Sequence, residues 1–155
     1  MKQLARLIAT CFYCGYFPFA PGTVGSAAAI VIAWLLVHFG GFGPREILIL
    51  GIVFIVPSIW AADVVARETG ASDPGIVVAD EVVGQWITLG GAVHLNWKSW
   101  FAAFLLFRLL DIWKPPPARQ FDRMHGGAGI VLDDVAAGIY GALVLFAAGV
   151  WFNLY

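Results

Sequence analysis

Long apolar runs, each ended by proline, glycine or charge, constrain this chain more than any other feature. The longer runs cover residues 27–42, 46–65, 97–113 and 130–155, and a shorter one covers residues 82–95. Mean hydropathy is +0.84 and only 12% of the residues are charged, which is far from the usage of soluble domains. Backbone polar groups in a bilayer must be paired within the protein, which favours helices. We therefore expect an all-α, polytopic membrane protein, one domain over residues 1–155, with about four to five membrane helices.

The N-terminal part of the chain departs from this pattern. Between residues 15 and 26 the sequence GYFPFAPGTVGS holds two prolines and three glycines, so that no uninterrupted spanning helix can pass through it. We expect residues 7–26 to form a broken, partly inserted element with a loop. Thr23 and Ser26 then open the next helix, where free backbone amides favour an anion.

Charge is concentrated in one stretch, from residue 108 to residue 134. This stretch holds eight of the nineteen charged side chains: Arg108, Asp111, Lys114, Arg119, Asp122, Arg123, Asp133 and Asp134. Charged groups at the edges of apolar segments are costly unless they bind something. Acids and bases together in a small apolar protein predict a site for a divalent metal and an anion.

A second acidic pair, Asp80 and Glu81, begins the apolar run that follows a turn at residues 73–75. Adjacent acids at a helix N-terminus can simply interact with the helix dipole. Here valines flank the pair on both sides and no basic residue is near in sequence. The pair is therefore a candidate for the same site.

The distribution of basic residues predicts how the chain is oriented. With residues 82–113 counted as an out-and-back hairpin, one side of the membrane receives six basic residues and the other receives Arg45 and Lys98. The six are Lys2, Arg6, Arg67, Lys114, Arg119 and Arg123. The richer side is expected to face the cytoplasm, and the acidic pairs fall on that side too. The net charge of −1 argues against a nucleic-acid partner, and the pattern favours no oligomeric state.

Magnesium suits this set of side chains because it prefers a few carboxylates together with water and phosphate. The candidate ligands are Asp80, Glu81, Asp111, Asp133 and Asp134. Arg108, Lys114 and Arg123 are candidates to hold a phosphate. Thr23 and Ser26 are candidates to bind the same group.

Four segments in the same order resemble the motifs of a known family. FPFAPGTVGS, VVADEVVGQWI, FRLLDIWKPPPARQFDR and GGAGIVLDDVAAGIY are similar to those of the phosphatidylglycerophosphatase A family, over about residues 15–141. The resemblance implies a bacterial inner-membrane, Mg²⁺-dependent phosphatase that converts phosphatidylglycerophosphate in the bilayer to phosphatidylglycerol. It also implies that both acidic pairs belong to the site, together with Asp111 and Lys114.

Our hypothesis for the chemistry is metal-assisted hydrolysis. Glu81, Asp111 and Asp133 hold the metal, and Asp80 or Asp134 positions or deprotonates the attacking water. Lys114 and Arg108 neutralise charge on the phosphate oxygens. Direct attack by water is favoured over a covalent phosphoenzyme because no cysteine or serine stands beside a histidine base, and an aspartate nucleophile stays open.

Two other functions fit the same residues. One is a phosphatase that acts on another lipid phosphate, because its catalytic residues would look the same. The other is a small cation-coupled transporter, in which buried acids among broken helices form an ion pathway. The sequence contains no visible internal repeat, which argues against the transporter.

Overall fold

The computed structural model describes residues 1–151, and these residues form helices and no strands. The all-α prediction is confirmed for this part of the chain. A short 3₁₀ turn at Cys14–Tyr16 follows the first helix. The helices are α1 (Lys2–Ala9), α2 (Pro21–Gly40), α3 (Pro44–Thr69), α4 (Ala79–Gly90), α5 (Trp97–Trp113), α6 (Ala118–Phe121) and α7 (Gly127–Trp151).

Three of the described helices, α2, α3 and α7, are long and apolar enough to cross a membrane. Helix α5 has 17 residues and α4 has 12, which correspond to lengths of ~25 Å and ~18 Å against a hydrocarbon core of ~30 Å. The predicted number of four to five membrane helices is therefore not confirmed, because α4 and α5 fall short of a full crossing.

Helix α2 begins inside the segment that was predicted to be a loop. Its first residue is Pro21, and proline is well tolerated at the first position of a helix, where its missing N–H needs no partner. The irregular segment is consequently shorter and ends at Ala20, which has a left-handed backbone with φ of 47°. The partial insertion of residues 7–26 stays a prediction.

Helix α4 lies at the centre of the bundle. It contacts α2, α3, α5 and α7, and its residues 82–89 are all buried. Close approach to α7 depends on glycine, since a Cβ added at Gly138 would lie 2.6 Å from the carbonyl oxygen of Gly84. Small residues at such crossings allow helices to pack backbone to backbone.

Helices α4 and α5 form the predicted hairpin. Residues 91–96 connect them, and Asn96 caps α5 by accepting hydrogen bonds from the backbone N–H groups of Lys98 and Ser99 at 3.0 and 3.2 Å. The start of α4 and the end of α5 therefore lie at the same end of the bundle. The starts of α2 and α7 lie at this end too, because residues from all four helices line one cleft.

Candidate active site

A cleft of about 350 Å³ opens at this end of the bundle. It collects side chains from separated parts of the sequence: the start of α2, the loop before α4, the starts of α4 and α7, and the end of α5. The charged residues that line it are Asp73, Asp80, Glu81, Arg108, Asp111, Lys114, Asp122, Asp133 and Asp134. The predicted convergence of the acidic pairs on one end is confirmed.

Three carboxylates in the cleft form a cluster that could hold a cation. Each of Asp80, Glu81 and Asp134 offers an oxygen, and these oxygens lie within 4.8 Å of one another. Asp80 Oδ1 and Glu81 Oε2 are buried and have no hydrogen-bond partner in the described part of the chain. Buried carboxylate oxygens without partners are costly unless a cation or water satisfies them.

The position of Asp80 disfavours its ionised form. Burial raises the pKa of this carboxyl well above its usual range, and the neighbouring carboxylate of Glu81 raises it further. Burial also raises the pKa of Glu81. A divalent cation would reverse this effect, because it stabilises the charged form of both groups.

Arg108 is held at the edge of the cluster by a carboxylate from its own helix. Its Nη1 donates to Asp111 Oδ2 at 2.6 Å, three residues along α5. The same nitrogen lies 4.0 Å from Glu81 Oε1. Arg108 Nε is buried without a partner among the described residues, so the guanidinium retains donor capacity for an anion.

Lys114 ends α5 and reaches across to α7. It has a left-handed backbone with φ of 49°, just before the three prolines that stop the helix. Its Nζ donates to Asp133 Oδ2 at 2.6 Å and also to Asp122. Burial alone would lower the pKa of Lys114, but these two carboxylates outweigh it and raise the pKa above its usual value. Lys114 is thus a permanent cation beside the cluster.

Gly22, in the first turn of α2, forms a wall of the cleft. A Cβ at this position would lie 2.2 Å from Glu81 Oε1 and 3.3 Å from Arg108 Nη1. A side chain here would displace the Glu81 carboxylate, so glycine suits the close approach of the α2 N-terminus to the cleft. The positive end of the helix dipole consequently points towards the cleft.

Comparison with known proteins adds to this geometry. Residues 7–149 match phosphatidylglycerophosphatase A in a comparison with protein families. The chain belongs to the phosphatidylglycerophosphatase A family. The resemblance seen in the sequence motifs is confirmed.

Three relatives in this comparison cover nearly the whole chain. Phosphatidylglycerophosphatase A of Escherichia coli strain K12 is 39% identical over 150 residues, which are 96% of this chain and 86% of that protein. Phosphatidylglycerophosphatase A of Haemophilus influenzae is 37% identical over 147 residues, 94% of this chain and 89% of that one. A protein of Bacteroides thetaiotaomicron, provisionally named a phosphatidylinositol-3-phosphatase, is 40% identical over 155 residues, which cover 96% of this chain and 94% of that protein. No solved structure matches the chain.

The cleft brings together most of the residues that the sequence of this family member predicted for its site. Those present are Asp80, Glu81, Arg108, Asp111, Lys114, Asp133 and Asp134. Thr23, Ser26 and Arg123 do not line the cleft. The Ser26 hydroxyl donates instead to the carbonyl oxygen of Gly22 at 3.0 Å, and Arg123 is exposed beside Arg119 in a separate small pocket.

Two polar residues in or near the cleft, besides Asp73 on its wall, were missing from the predicted site. Asp122 pairs with Lys114 from a position eight residues later, after a proline turn that no sequence period describes. Gln85 lies one turn after Glu81 on α4, and both of its side-chain polar atoms are buried without a partner in the described residues. It does not line the cleft. Its position one helical turn from Glu81 was the signal that could have drawn attention to it.

Proposed function

We propose that this protein is a lipid phosphatase that hydrolyses the terminal phosphate monoester of phosphatidylglycerophosphate. The products are phosphatidylglycerol and inorganic phosphate, and the reaction belongs to phospholipid biosynthesis. The observation that carries the proposal is the cleft itself. It places a cluster of three carboxylates beside Arg108 and Lys114, as a divalent cation and a phosphate monoester require.

Magnesium is the metal that this set of ligands suits best, and Asp80, Glu81 and Asp134 would hold it. Their fit rests on the two unpartnered buried oxygens described above and on the preference of magnesium for carboxylates. When bound, it would neutralise the phosphate and polarise its oxygens. All three of these carboxylates are among the five candidate ligands named from the sequence. The other two, Asp111 and Asp133, are paired with Arg108 and Lys114.

The side chains around this cluster have separate tasks in the reaction. Arg108 and Lys114 bind the phosphate oxygens and stabilise the charge on them. A water oxygen attacks phosphorus, and its proton passes to a carboxylate oxygen of Asp80 or Asp134. The bond from phosphorus to the glycerol oxygen breaks, and that oxygen takes up the proton held by the carboxyl group, which restores the carboxylate. Asp111 and Asp133 hold the two cations in place.

The proposed location is the bacterial inner membrane, with the cleft facing the cytoplasm. Lys2 and Arg6 lie near Glu68 at the end of α3, on the same end of the bundle as the cleft. Arg45 and Lys98 begin α3 and α5 at the other end. This excess of basic residues around the cleft supports a cytoplasmic orientation.

Phosphate release by the purified, detergent-solubilised protein tests the proposal. The substrates are phosphatidylglycerophosphate, phosphatidic acid and phosphatidylinositol 3-phosphate, each with Mg²⁺ and with a chelator. We expect Mg²⁺-dependent release that is fastest from phosphatidylglycerophosphate. No release from any of the three lipids, by folded protein, would overturn the proposal and favour the cation transporter.

A second candidate is a phosphatase that acts on another lipid phosphate. The provisional name of the Bacteroides relative, which is as similar to this chain as the two named phosphatidylglycerophosphatases, favours it. The same panel separates the two candidates. Faster release from phosphatidylinositol 3-phosphate than from phosphatidylglycerophosphate would establish the second one.

A further inference from the structure

A larger cavity, of about 780 Å³, lies between α2 and α5, away from the carboxylates. Its walls are almost wholly apolar. Ala27, Val31 and Trp34 line it from α2, and Trp97, Phe101 and Phe104 line it from α5. We call this cavity the α2–α5 groove. Helix α2 packs mainly on α4 and α5 packs mainly on α7, and the contact between α2 and α5 themselves is smaller.

The groove begins where the cleft ends. Gly22 and Arg108 face each other in the cleft, one from each helix. Ala27 lies five residues after Gly22, and Phe104 lies four residues before Arg108. With a rise of ~1.5 Å per residue, both are ~6–8 Å deeper in the bundle. The two cavities are therefore consecutive along the same pair of antiparallel helices.

The groove runs from the cleft towards the opposite end of the bundle. Ala27 and Trp34 lie seven residues apart on α2, and Trp97 and Phe104 lie seven apart on α5, which corresponds to ~10 Å along each helix axis. A groove that starts beside the cleft and follows apolar helices in this way runs where lipid acyl chains lie.

Several side chains of the groove are left uncovered by the described residues. Val31 is 56% exposed, Trp34 47% and Phe101 61%. In lipid, exposure of apolar side chains is not costly, so exposure alone identifies no ligand. The concave shape and the continuity with a cleft that holds cations distinguish this surface from the outer face of α3, which is exposed and has no such cavity among those described.

We infer that the α2–α5 groove binds one acyl chain of the lipid whose phosphate occupies the cleft. This inference rests on the proposed function. Arg108 and Lys114 fix the phosphate at the top of the groove, and the chain packs below against Ala27 and Phe104. The enzyme thereby recognises a phosphate attached to a membrane lipid. A phosphate on a soluble molecule lacks the second contact.

The test compares two substrates with the same headgroup. One is phosphatidylglycerophosphate with long acyl chains, and the other carries chains too short to pass Ala27. The variant Ala27→Phe fills the groove at an exposed position of α2. Val53→Phe is the matched control, since Val53 is 64% exposed on α3, outside the groove. Light scattering in detergent records the oligomeric state of each protein.

We expect Ala27→Phe to lower kcat/KM for the long-chain substrate by about fivefold, because many weak packing contacts are lost together. The value for the short-chain substrate should not change, and Val53→Phe should change neither. If Ala27→Phe does not fold, Phe101→Ala removes one wall of the groove and should have the same selective effect.

Three outcomes would overturn the inference. Equal losses of kcat/KM for both substrates, or no loss for either, would show that the groove does not bind the acyl chain. A change of oligomeric state in Ala27→Phe without a change in selectivity would assign the groove to a second copy of the protein. Failure of the unmodified protein to release phosphate from either substrate would instead overturn the proposed function.

Discussion

At the scale of single residues, the site is defined by an excess of acids over bases. Asp111 is paired with Arg108, and Asp133 is paired with Lys114. The carboxylates of Asp80, Glu81 and Asp134 form a cluster whose nearest recorded cation in the described residues is Arg108, 4.0 Å from Glu81 Oε1. Like charges at such short range repel strongly in a partly buried site. The cluster is therefore a place where the folded protein is less stable until a cation binds.

Magnesium should stabilise the protein through this cluster. Saturating Mg²⁺, at ~100 times its dissociation constant, is expected to add ~2.7 kcal/mol to the free energy of unfolding. The measurement is the thermal midpoint in detergent, with Mg²⁺ and with a chelator. Addition of Mg²⁺ should raise the thermal midpoint of Asp134→Asn less than that of the unmodified protein. An equal rise in both proteins would show that the metal binds elsewhere.

The metal-free protein should become more stable as the pH falls. The pKa of Asp80 is raised in the folded state, so the folded protein holds this proton more tightly than the unfolded chain does. The free energy of unfolding should then rise as pH falls through the folded pKa, and level off near the unfolded value of ~3.9. Thermal midpoints measured against pH without metal test this. A midpoint that falls on mild acidification would contradict it.

Lys114 is expected to serve both stability and catalysis. Lys114→Met leaves the carboxylate of Asp133, only 7% exposed, without its cation. Because Lys114 itself is 28% exposed, the expected loss is reduced to ~1–3 kcal/mol. The double variant Lys114→Met/Asp133→Asn should regain much of this stability but none of the activity. Denaturation and phosphate release on the three proteins separate the two roles. Recovery of activity in the double variant would contradict the phosphate-binding role of Lys114.

At the scale of elements, α4 and α7 form the part of the bundle that positions the site. Asp80 and Glu81 begin α4, and Asp134 lies near the start of α7. The separation of these carboxylates depends on how closely the two helices approach. Gly84 and Gly138 set that approach, because any side chain at either position would meet backbone of the other helix.

Widening the contact between α4 and α7 should therefore disturb both stability and activity. Gly138→Ala would place its Cβ 2.6 Å from the carbonyl oxygen of Gly84, which should cost ~1–3 kcal/mol. Gly75→Ala is the control for stability, since a Cβ there meets nothing within 4 Å. Thermal midpoints are compared for both variants, and kcat is compared between Gly138→Ala and the unmodified protein, because Gly75 lines the cleft. Equal midpoints would show that the two helices can separate freely.

The elements of the site were largely predictable from the sequence, whereas the ion pairs between them were not. The pair of Arg108 and Asp111 lies three residues apart on one helix, and that of Asp63 and Arg67 lies four apart, with 2.7 Å between their charged atoms. Both spacings place the partners on one helix face, so pairs of this kind are readable from the sequence. The pairs of Lys114 with Asp133 and Asp122 depend on a proline turn and on the packing of α7, which no local period reveals. Asp133 was therefore predicted to be a metal ligand.

The helix boundaries, too, were only partly predictable from the sequence. Asn96 and the prolines after Lys114 fix the ends of α5, and the predicted range of residues 97–113 is the observed one. The predicted start of α2 was too late, since the helix begins at Pro21. The glycines and prolines of this segment indicated a loop, and the sequence does not show that Gly22 lies against the cleft. The number of membrane spans depends on how α4 and α5 sit in the bilayer, which length alone does not fix.

At the scale of the whole molecule, the bundle has two unlike ends. The end with the cleft carries most of the charge, and the other end carries Arg45, Glu46 and Lys98 around aromatic side chains. Trp34 stacks on His38 near that end, with ring centroids 5.0 Å apart. Aromatic residues are common where a membrane protein meets the interface. The molecule thus resembles a polarised bundle with chemistry at one surface only.

The orientation of the bundle can be tested with single cysteines. In a background without Cys11 and Cys14, Arg45→Cys and Lys98→Cys should react with a membrane-impermeant maleimide added outside intact spheroplasts. Arg119→Cys, near the cleft, should react only after the membrane is opened. All three positions are exposed, so access to the thiol depends on the side of the membrane. The reverse pattern of labelling would place the cleft outside the cytoplasm.

The most direct test of the account is Mg²⁺-dependent phosphate release from phosphatidylglycerophosphate by Asp134→Asn beside the unmodified protein. Glu46→Gln is the control, because Glu46 is an exposed carboxylate at the opposite end that only caps α3. We expect Asp134→Asn to lower kcat by about 10²–10⁴-fold and Glu46→Gln to leave it unchanged. Full activity in folded Asp134→Asn would contradict the assignment of the carboxylate cluster as the catalytic centre.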